Sequence, residues 1–295
     1  NQEERQTAPV SCAVEIGDQG AVSLNLRLLE TSRLFADWIQ QSKASWIFSS
    51  ATLAVGEDFT AFAHDLGLEA PLTLKVGSSF DYERQARLYL PSNLPTVDAT
   101  GYLEALLRAA EPLLAACGGG AFFLFTSRRA LRQAAGLIRS WDWPYALFVQ
   151  GEGVRARQLE AFRSVRNGVL LGTKSFWEGV DVKGDALMLV VIDRLPFASP
   201  GEPLLEARLK RCRATGGTPF RDIQLPAAVM ALKQGAGRLI RDGNDYGVLM
   251  IGDSRLQVRH YRKQFLQSLP PMPIVHEQAA AVEFLARYAE VSACA

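Results

Sequence analysis

Six short and mainly apolar runs recur between residues 87 and 251, and they limit the folds open to this chain more than any other feature. Polar and apolar side chains do not alternate within them, so strands built from these runs need cover on both faces. The runs are Arg87–Leu90, Ala121–Phe125, Ala146–Val149, Gly168–Leu171, Leu187–Ile192 and Val248–Ile251. Such strands are typical of a parallel sheet that carries helices on both sides.

Segments with helical periodicity separate these runs. The predicted helices are Gly101–Ala116, Arg128–Ser140, Arg155–Val165, Pro226–Arg241 and Gln278–Glu290. Right-handed crossovers through helices join parallel strands into one layer. The sequence therefore predicts an α/β fold, a parallel sheet flanked by helices.

Two stretches do not follow this rhythm. In the first ~80 residues we predict a helix over Leu34–Gln41, a strand over Ser45–Phe48 and a helix over Phe59–Leu66 that stops at Gly67, a usual helix-ending residue. The longest stretch that we predict to be irregular is Arg194–Thr218, which contains three prolines. Irregular segments of this length are usually functional or mobile.

Composition excludes several classes of protein. At 295 residues and 48% hydrophobic, the chain can bury at least one full core and permits two domains, and its net charge of +1 is too small for a general nucleic-acid binder. No run approaches the ~20 consecutive apolar residues of a membrane span, and no signal peptide is visible. The cysteines Cys12, Cys117, Cys212 and Cys294 lie too far apart for a metal motif and fit a reducing cytoplasm.

An arginine-rich segment, Gln234–Arg241, carries the strongest chemical signal. On a helix, Gln234, Arg238 and Arg241 lie at i, i+4 and i+7 and share one face. Two guanidinium groups on one face suit a dense anion such as a polyphosphate. Gly235 and Gly237 each cost about 1 kcal/mol inside a helix, which makes sense where a ligand approaches the backbone. The alternative is an ordinary solvated helix end.

Three further segments follow apolar runs directly: Ser49–Leu53, Thr126–Arg128 and Gly172–Asp181. In open α/β sheets, ligands bind at the carboxyl ends of the strands. We therefore expect the polar residues of these segments to lie in binding sites.

Together and in this order, the four segments resemble motifs III, IV, V and VI of superfamily 2 helicases. The Glu178–Asp181 form of motif V and the Gln234–Arg241 form of motif VI are similar to those of the XPD-like branch, in particular its bacterial YoaA/DinG group. The resemblance implies RecA-like motor domains. Residues 1–80 would be the end of the first motor domain, with motif III, and residues 81–295 the second. The motifs do not separate YoaA-like from DinG-like enzymes.

The resemblance also implies an ATP-dependent, cytoplasmic helicase that moves 5′-to-3′ on single-stranded DNA in replication or repair. Family members hold ATP and Mg²⁺ with a phosphate loop and an Asp-Glu-x-His box, and a 4Fe-4S cluster with four cysteines. This sequence contains none of the three patterns. We expect it to be the carboxyl-terminal part of a longer helicase, inactive alone, with the Mg²⁺ and cluster ligands in the missing part.

Site residues are carried over from the matching motifs. Arg241 is expected to be the arginine finger, with Arg238 and Gln234 beside the γ-phosphate. The nucleotide contacts expected from motif V are Glu178, Gly179 and Asp181. The expected DNA contacts are Thr126, Ser127, Arg128, Thr173, Lys174, Ser175 and Thr52, the last acting as a relay. No metal site is expected within this chain.

Other readings remain open. The chain would be a protein-docking module if its terminal helix binds a replisome subunit. YoaA-like helicases pair with the chi subunit of the polymerase clamp loader, which would make Phe284, Arg287 and Tyr288 the anchors. A nuclease role would need clustered carboxylates, which the sequence lacks.

In the irregular stretch, the basic side chains would line the DNA strand path: Arg208, Lys210, Arg211 and Arg213. Arg255, Arg259 and Arg262 lie at i, i+4 and i+7 and would form one basic face of a helix. The alternative for both groups is a solvated face.

Overall fold

A computed structural model describes residues 9–16, 21–173, 186–199 and 201–293. The chain divides into two compact units, Asn1–Val76 with Phe197–Ala228, and Gly77–Pro196 with Val229–Ala295. The predicted second domain, 81–295, contains residues 197–228, which here group with the first unit. The assignment of either unit to a motor domain stays a prediction.

The first unit begins with two antiparallel strands, β1 (Val10–Ile16) and β2 (Val22–Leu28). They pair in register from Val10 opposite Leu28 to Ile16 opposite Val22. The sequence analysis predicts neither strand. The signal was present, because apolar residues alternate with polar ones along β2, as they do in a strand with one covered face.

Two short helices follow in this unit, Ser32–Gln41 and Thr60–Leu66. The second ends at Gly67, whose φ of 64° lies in the left-handed region, as predicted. The predicted strand Ser45–Phe48 is wrong, because this segment pairs with no strand within the described residues. Its apolar side chains pack against the first helix instead, with the Phe48 and Phe35 rings 6.0 Å apart.

The stretch Arg194–Thr218, predicted to be irregular, contains a helix over Pro203–Ala214. Pro203 occupies its first turn, where the missing N–H costs nothing. Arg208 Nε donates to the carbonyl oxygen of Leu29 at 3.0 Å, and Arg211 pairs with Glu30 at 2.6 Å. These two arginines are therefore engaged with the end of β2. A short π-helix, Phe220–Gln224, follows.

The second unit is built on seven parallel strands in the order β5-β6-β4-β7-β8-β3-β9. Their bounds are β3 Ala86–Tyr89, β4 Ala121–Leu124, β5 Ala146–Val149, β6 Gly168–Gly172, β7 Leu189–Ile192, β8 Gly247–Ile251 and β9 Ile274–Val275. The helices of this unit are Tyr82–Gln85, Tyr102–Cys117, Arg128–Ser140, Arg155–Ser164, Arg255–Val258, Arg262–Ser268 and Gln278–Ala293. The helix Leu225–Ala236 runs from the first unit into the second.

Both faces of the central strands are buried. Phe123 and Val191 point into a core that they share with Leu106 and Leu107 of the helix Tyr102–Cys117. Phe122 lies on the opposite face and is also fully buried, with 0% exposure. The predicted α/β fold with a parallel sheet is confirmed, and the six predicted strands are present with ends shifted by at most two residues.

One predicted helical face is broken. Arg255, Arg259 and Arg262 were expected on a single helix, but Arg259 is extended, with φ −83° and ψ 146°. Two short helices, Arg255–Val258 and Arg262–Ser268, flank it. The three arginines therefore do not form one basic stripe.

Within the described ranges, no helix combines the length and the apolar character that crossing a membrane requires.

Candidate functional site

The carboxyl ends of β4, β7 and β8 lie side by side, because these strands are parallel neighbours in the sheet. Thr126 follows β4, Asp193 follows β7 and Asp253 follows β8. The sheet topology thus brings the predicted motif IV residues to the same edge as two buried carboxylates, at 1% and 2% exposure.

Ser127 starts the helix that follows β4. Its backbone is extended, with φ −140° and ψ 147°, and its hydroxyl accepts a hydrogen bond from the N–H of Ala130 at 3.1 Å. This is the geometry of a serine N-cap. Arg128 is exposed in the first turn of the helix. The end of β4 therefore presents an exposed guanidinium beside a helix amino terminus, where backbone N–H groups favour anions.

Asp193 holds the segment after β4 in place. Its Oδ1 accepts hydrogen bonds from the N–H groups of Thr126 at 3.0 Å and Arg194 at 2.7 Å. Burial raises the pKa of Asp193 to about 7, and the nearby Arg194 guanidinium opposes that rise. The sequence analysis missed Asp193, because a single Asp after an apolar run does not show its burial.

Asp253 connects the next pair of strand ends. Its Oδ2 accepts from the N–H of Leu195 at 2.7 Å, and Arg255 pairs with the same oxygen at 2.6 Å. The ends of β4, β7 and β8 are thus tied together by two carboxylates. Such hydrogen bonds keep the backbone at this edge in place, as a binding surface requires.

Motif V is only partly within the described residues. The N–H and hydroxyl of Thr173 both donate to Oε1 of Gln150, at 2.6 and 3.0 Å, so Gln150 fixes the orientation of Thr173. The other predicted residues of this motif lie outside the described residues: Lys174, Ser175, Glu178, Gly179 and Asp181.

Thr52 of motif III belongs to the first unit and is half-buried. Its N–H donates to the Ser50 hydroxyl at 3.2 Å, and the two hydroxyl oxygens lie 3.3 Å apart. The segment is a tight local turn, which the hydrogen bonds between these two residues stabilise.

The arginine-rich segment does not form the single helical face that was predicted. The helix ends at Ala236, and a turn follows in which the N–H of Arg238 donates to Gly235 O at 3.2 Å. Leu239 and Ile240 after the turn are buried, at 2% and 3% exposure. Burial of these two side chains turns the backbone out of the helix.

As a result, the three predicted catalytic residues occupy three kinds of backbone. Gln234 lies on the helix, Arg238 in the turn and Arg241 in the irregular segment that follows. All three are half-buried, and the N–H of Arg241 donates to Oδ2 of Asp245 at 2.7 Å. The guanidinium of Arg241 is therefore placed by the fold of this segment and not by helical periodicity.

The terminal helix Gln278–Ala293 does not expose the aromatic anchors expected for docking. Phe284 is 5% exposed, and the Arg87 guanidinium lies 4.3 Å from its ring centroid. Tyr288 stacks on Tyr246 at 4.5 Å. The prediction of Phe284 as an exposed anchor is wrong, because the helix packs that face on its own core.

Arg287, the third predicted anchor, lies on the exposed side of the same helix. It pairs with Glu283 one turn earlier at 3.0 Å. A pair this exposed contributes little to stability.

Among the residues that the structure describes, no group of three or more His, Cys, Asp or Glu side chains is arranged to hold a metal ion. Cys117 is buried and Cys12 is exposed. Burial raises the pKa of the Cys117 thiol to about 11, so this cysteine is a poor thiolate ligand.

Comparison with known proteins agrees with this geometry. Residues 110–272 match the helicase C-terminal domain family. The chain is 46% identical over 264 residues to ATP-dependent DNA helicase YoaA of Escherichia coli (strain K12), covering 90% of this chain and 41% of that protein. It is 32% identical over 270 residues to the 3′-5′ exonuclease DinG of Bacillus subtilis (strain 168), covering 86% of this chain and 28% of that one.

A solved XPD helicase structure has the same fold, with a TM-score of 0.61 and 17% identity over 86% of this chain and 46% of that chain. The chain spans about two fifths of the length of its YoaA relatives, 41% and 42% for the Escherichia coli and Haemophilus influenzae proteins. The parallel sheet, the polar residues that follow β4 and β6, and these similarities agree: the chain belongs to the helicase C-terminal domain family, as a carboxyl-terminal part of the bacterial YoaA/DinG group.

Proposed function

We propose that this chain is the carboxyl-terminal motor half of a longer, cytoplasmic, ATP-dependent DNA helicase that moves 5′-to-3′ along single-stranded DNA in replication or repair. One observation carries the proposal. A single parallel sheet presents polar groups after β4 and the arginine-rich segment before β8. A motor must couple those two kinds of site, one for DNA and one for nucleotide.

The arginine-rich segment would act on ATP. Phosphoryl transfer needs positive charge on the transferring group more than it needs covalent help. Arg241 is the proposed arginine finger, Arg238 a second phosphate contact, and Gln234 the group that orients the γ-phosphate or the attacking water. Glu178, Gly179 and Asp181 of motif V would contact the nucleotide, and Glu178 or Asp181 would reach its ribose or couple the nucleotide to the DNA site.

The described residues fit one part of the nucleotide site and not the other. Half-buried Arg238 and Arg241 suit the phosphates, whereas no described cluster of acidic side chains suits Mg²⁺. We therefore assign the Mg²⁺ ligands, the phosphate loop and the 4Fe-4S cysteines to the remainder of the protein. This chain alone is expected not to hydrolyse ATP.

The edge after β4 would hold DNA. Thr126, Ser127 and Arg128 offer hydroxyl, N–H and guanidinium groups, and Thr173, Lys174 and Ser175 of motif V would extend the site. Such groups bind phosphates without reading bases, which suits a translocating motor. Thr52 would relay the state of the nucleotide to this site.

Unwinding of tailed duplexes tests the proposal. The full-length protein with ATP should unwind a duplex that carries a 5′ single-stranded tail, and should leave the same duplex with a 3′ tail intact. A non-hydrolysable ATP analogue serves as the control, because it supports binding without turnover. Equal unwinding of both substrates would contradict the proposed direction, and no ATP-dependent unwinding of either would contradict the function.

A second proposed role is docking to the chi subunit of the polymerase clamp loader. The exposed pair Glu283 and Arg287 on the terminal helix supports it, since Arg is a frequent anchor in protein interfaces. Phe284 is excluded from the proposed contact by its burial.

A further inference from the structure

Two buried polar side chains hold the backbone that carries Arg241. Asp245 is 4% exposed, and its Oδ2 accepts hydrogen bonds from the N–H groups of Arg241 at 2.7 Å and Asp242 at 2.8 Å. One carboxylate oxygen thus fixes two consecutive peptide groups. A charged acceptor makes such bonds stronger than neutral ones.

Gln85 holds the same segment from the other side. It is 9% exposed, and its Nε2 lies 3.0 Å from Asp242 O, 3.0 Å from Gly243 O and 2.8 Å from Asp245 O. The two N–H bonds of an amide group are shared among these three carbonyl oxygens. Donors of the segment are therefore bound by Asp245, and acceptors by Gln85.

Gln85 also connects this segment to the central sheet. Gln85 ends the helix Tyr82–Gln85, the first element of the second unit, and β3 begins at the next residue. β3 pairs directly with β8, which follows Asp245. The segment that carries Arg241 is thus fastened to the central sheet at both ends.

Burying these two groups has a cost. A buried carboxylate or amide costs free energy unless it is hydrogen-bonded, and a glycine-rich turn could link a helix to a strand without either. In this structure both groups bond to residues 241–245. Both buried groups therefore serve one short segment, the one that carries the proposed arginine finger.

We propose that Asp245 and Gln85 are positioning residues that fix the backbone at Arg241 so that its guanidinium meets the transferring phosphoryl group. The inference rests on the proposed function of Arg241. An arginine finger stabilises the transition state only if it is held in place beforehand. A misplacement of about 1 Å can cost ~10²-fold in rate.

Steady-state ATPase kinetics of the full-length protein with saturating single-stranded DNA test this inference. Gln85→Met keeps the length of the side chain and removes its N–H donors. We expect kcat to fall by about 10²-fold, with KM for ATP and affinity for single-stranded DNA nearly unchanged. Asp245→Ala should behave alike, and Asp245→Asn, which keeps an acceptor oxygen, should recover much of the loss.

Two controls separate positioning from general destabilisation. Asp242→Asn changes the same charge on the exposed side of the same segment and should leave kcat unchanged. Hydrogen exchange of the amides at Arg241 and Asp242 should accelerate in Gln85→Met and Asp245→Ala, while exchange in β4 stays slow. Since both side chains hold one segment, the double variant Gln85→Met/Asp245→Ala should lose less than the product of the single losses.

The outcomes also separate this inference from the proposed function. If Arg241→Ala abolishes turnover while Gln85→Met and Asp245→Ala turn over normally, the proposed positioning role is wrong. The proposed role of Arg241 is then unaffected. If Arg241→Ala itself turns over normally, the proposed function of the segment fails. If Gln85→Met lowers kcat only together with thermal stability and DNA affinity, its role is structural and the inference is overturned.

Discussion

Asp193 holds the end of β4 in place, but its burial costs free energy of folding. It binds the N–H groups of Thr126 and Arg194 from a fully buried position, 1% exposed. Desolvation penalises its charged form, and the carboxylate of Asp253 nearby adds to the penalty. The strand-end edge is therefore held by a group whose ionisation opposes folding.

This conflict predicts a dependence of stability on pH. The pKa of Asp193 is raised to about 7 in the folded chain, above its ordinary value of 3.8. The stability that its bound proton confers is complete below about pH 4 and is lost as the pH rises through 7. The loss is on the order of 4 kcal/mol at most. Urea unfolding at pH 5 and pH 8 should show the larger part of this loss in the wild type.

Asp193→Asn, which cannot ionise, should remove most of that difference between pH 5 and pH 8. Glu160→Gln, an exposed change on a helix of the same unit, should retain it. An Asn variant with the same pH dependence as the wild type would show that Asp193 does not titrate in this range.

Arg128 offers a test of the DNA edge at the same scale. Arg128→Ala should weaken binding of all single-stranded DNA sequences alike, because the proposed contact is to phosphate. The salt slope, the dependence of log K on log salt concentration, should fall by about 0.7, the value for one phosphate of a single strand. Fluorescence anisotropy with two unrelated oligonucleotides measures both. A loss confined to one sequence would indicate base contacts instead.

At the scale of elements, the sequence predicts the bounds of a helix well where capping residues mark its ends. The helix Arg128–Ser140 has its predicted bounds, because the Ser127 cap fixes its start. The predicted helix Pro226–Arg241 runs too far, because burial of Leu239 and Ile240 decides the end and burial depends on the rest of the fold. The strand β9 was missed because it spans only Ile274–Val275.

The terminal helix yields a prediction that separates core from interface. Phe284→Ala should destabilise the chain by about 3–5 kcal/mol, the usual range for a buried Phe. Arg287→Ala should change stability by less than about 0.5 kcal/mol, as an exposed substitution does. Thermal unfolding measures both effects, and binding to purified chi tests whether the exposed side of the helix is the docking site. If Arg287→Ala and Glu283→Ala both bind chi as the wild type does, this helix is not the docking site.

At the scale of the whole molecule, the sequence predicted the kind of fold better than the contacts at the edge of its sheet. Because apolar runs are typical of parallel strands, polar residues were expected directly after strands, and Thr126 follows β4 and Thr173 follows β6 as expected. Ser49–Leu53 instead follows a segment that forms no strand within the described residues. Asp193, Asp245 and Gln85 were not predicted. Their roles arise from partners far away in sequence, such as Gln85 with Asp245, and no local pattern records such pairs.

The grouping into units also depends on long-range contacts. Residues 197–228 belong with the first unit although they lie between strands β7 and β8 of the second. Prolines Pro196, Pro200 and Pro203 cluster at the first boundary of this segment, whereas the second boundary falls inside the helix Leu225–Ala236. The sequence therefore indicates where the segment starts but not which unit it belongs to.

The central claim is that the second unit supplies the arginine finger of an ATP-driven motor. The most direct test is the DNA-stimulated ATPase rate of the full-length protein carrying Arg241→Ala. Arg166→Ala is the control, because Arg166 is an exposed arginine in the turn before β6, three strands away from β8 in the sheet. Arg241→Ala should lower kcat by roughly 10³-fold or more, the scale of other arginine fingers. Its affinity for ATP should change far less, and Arg166→Ala should match the wild type. Near-normal turnover in Arg241→Ala would contradict the account.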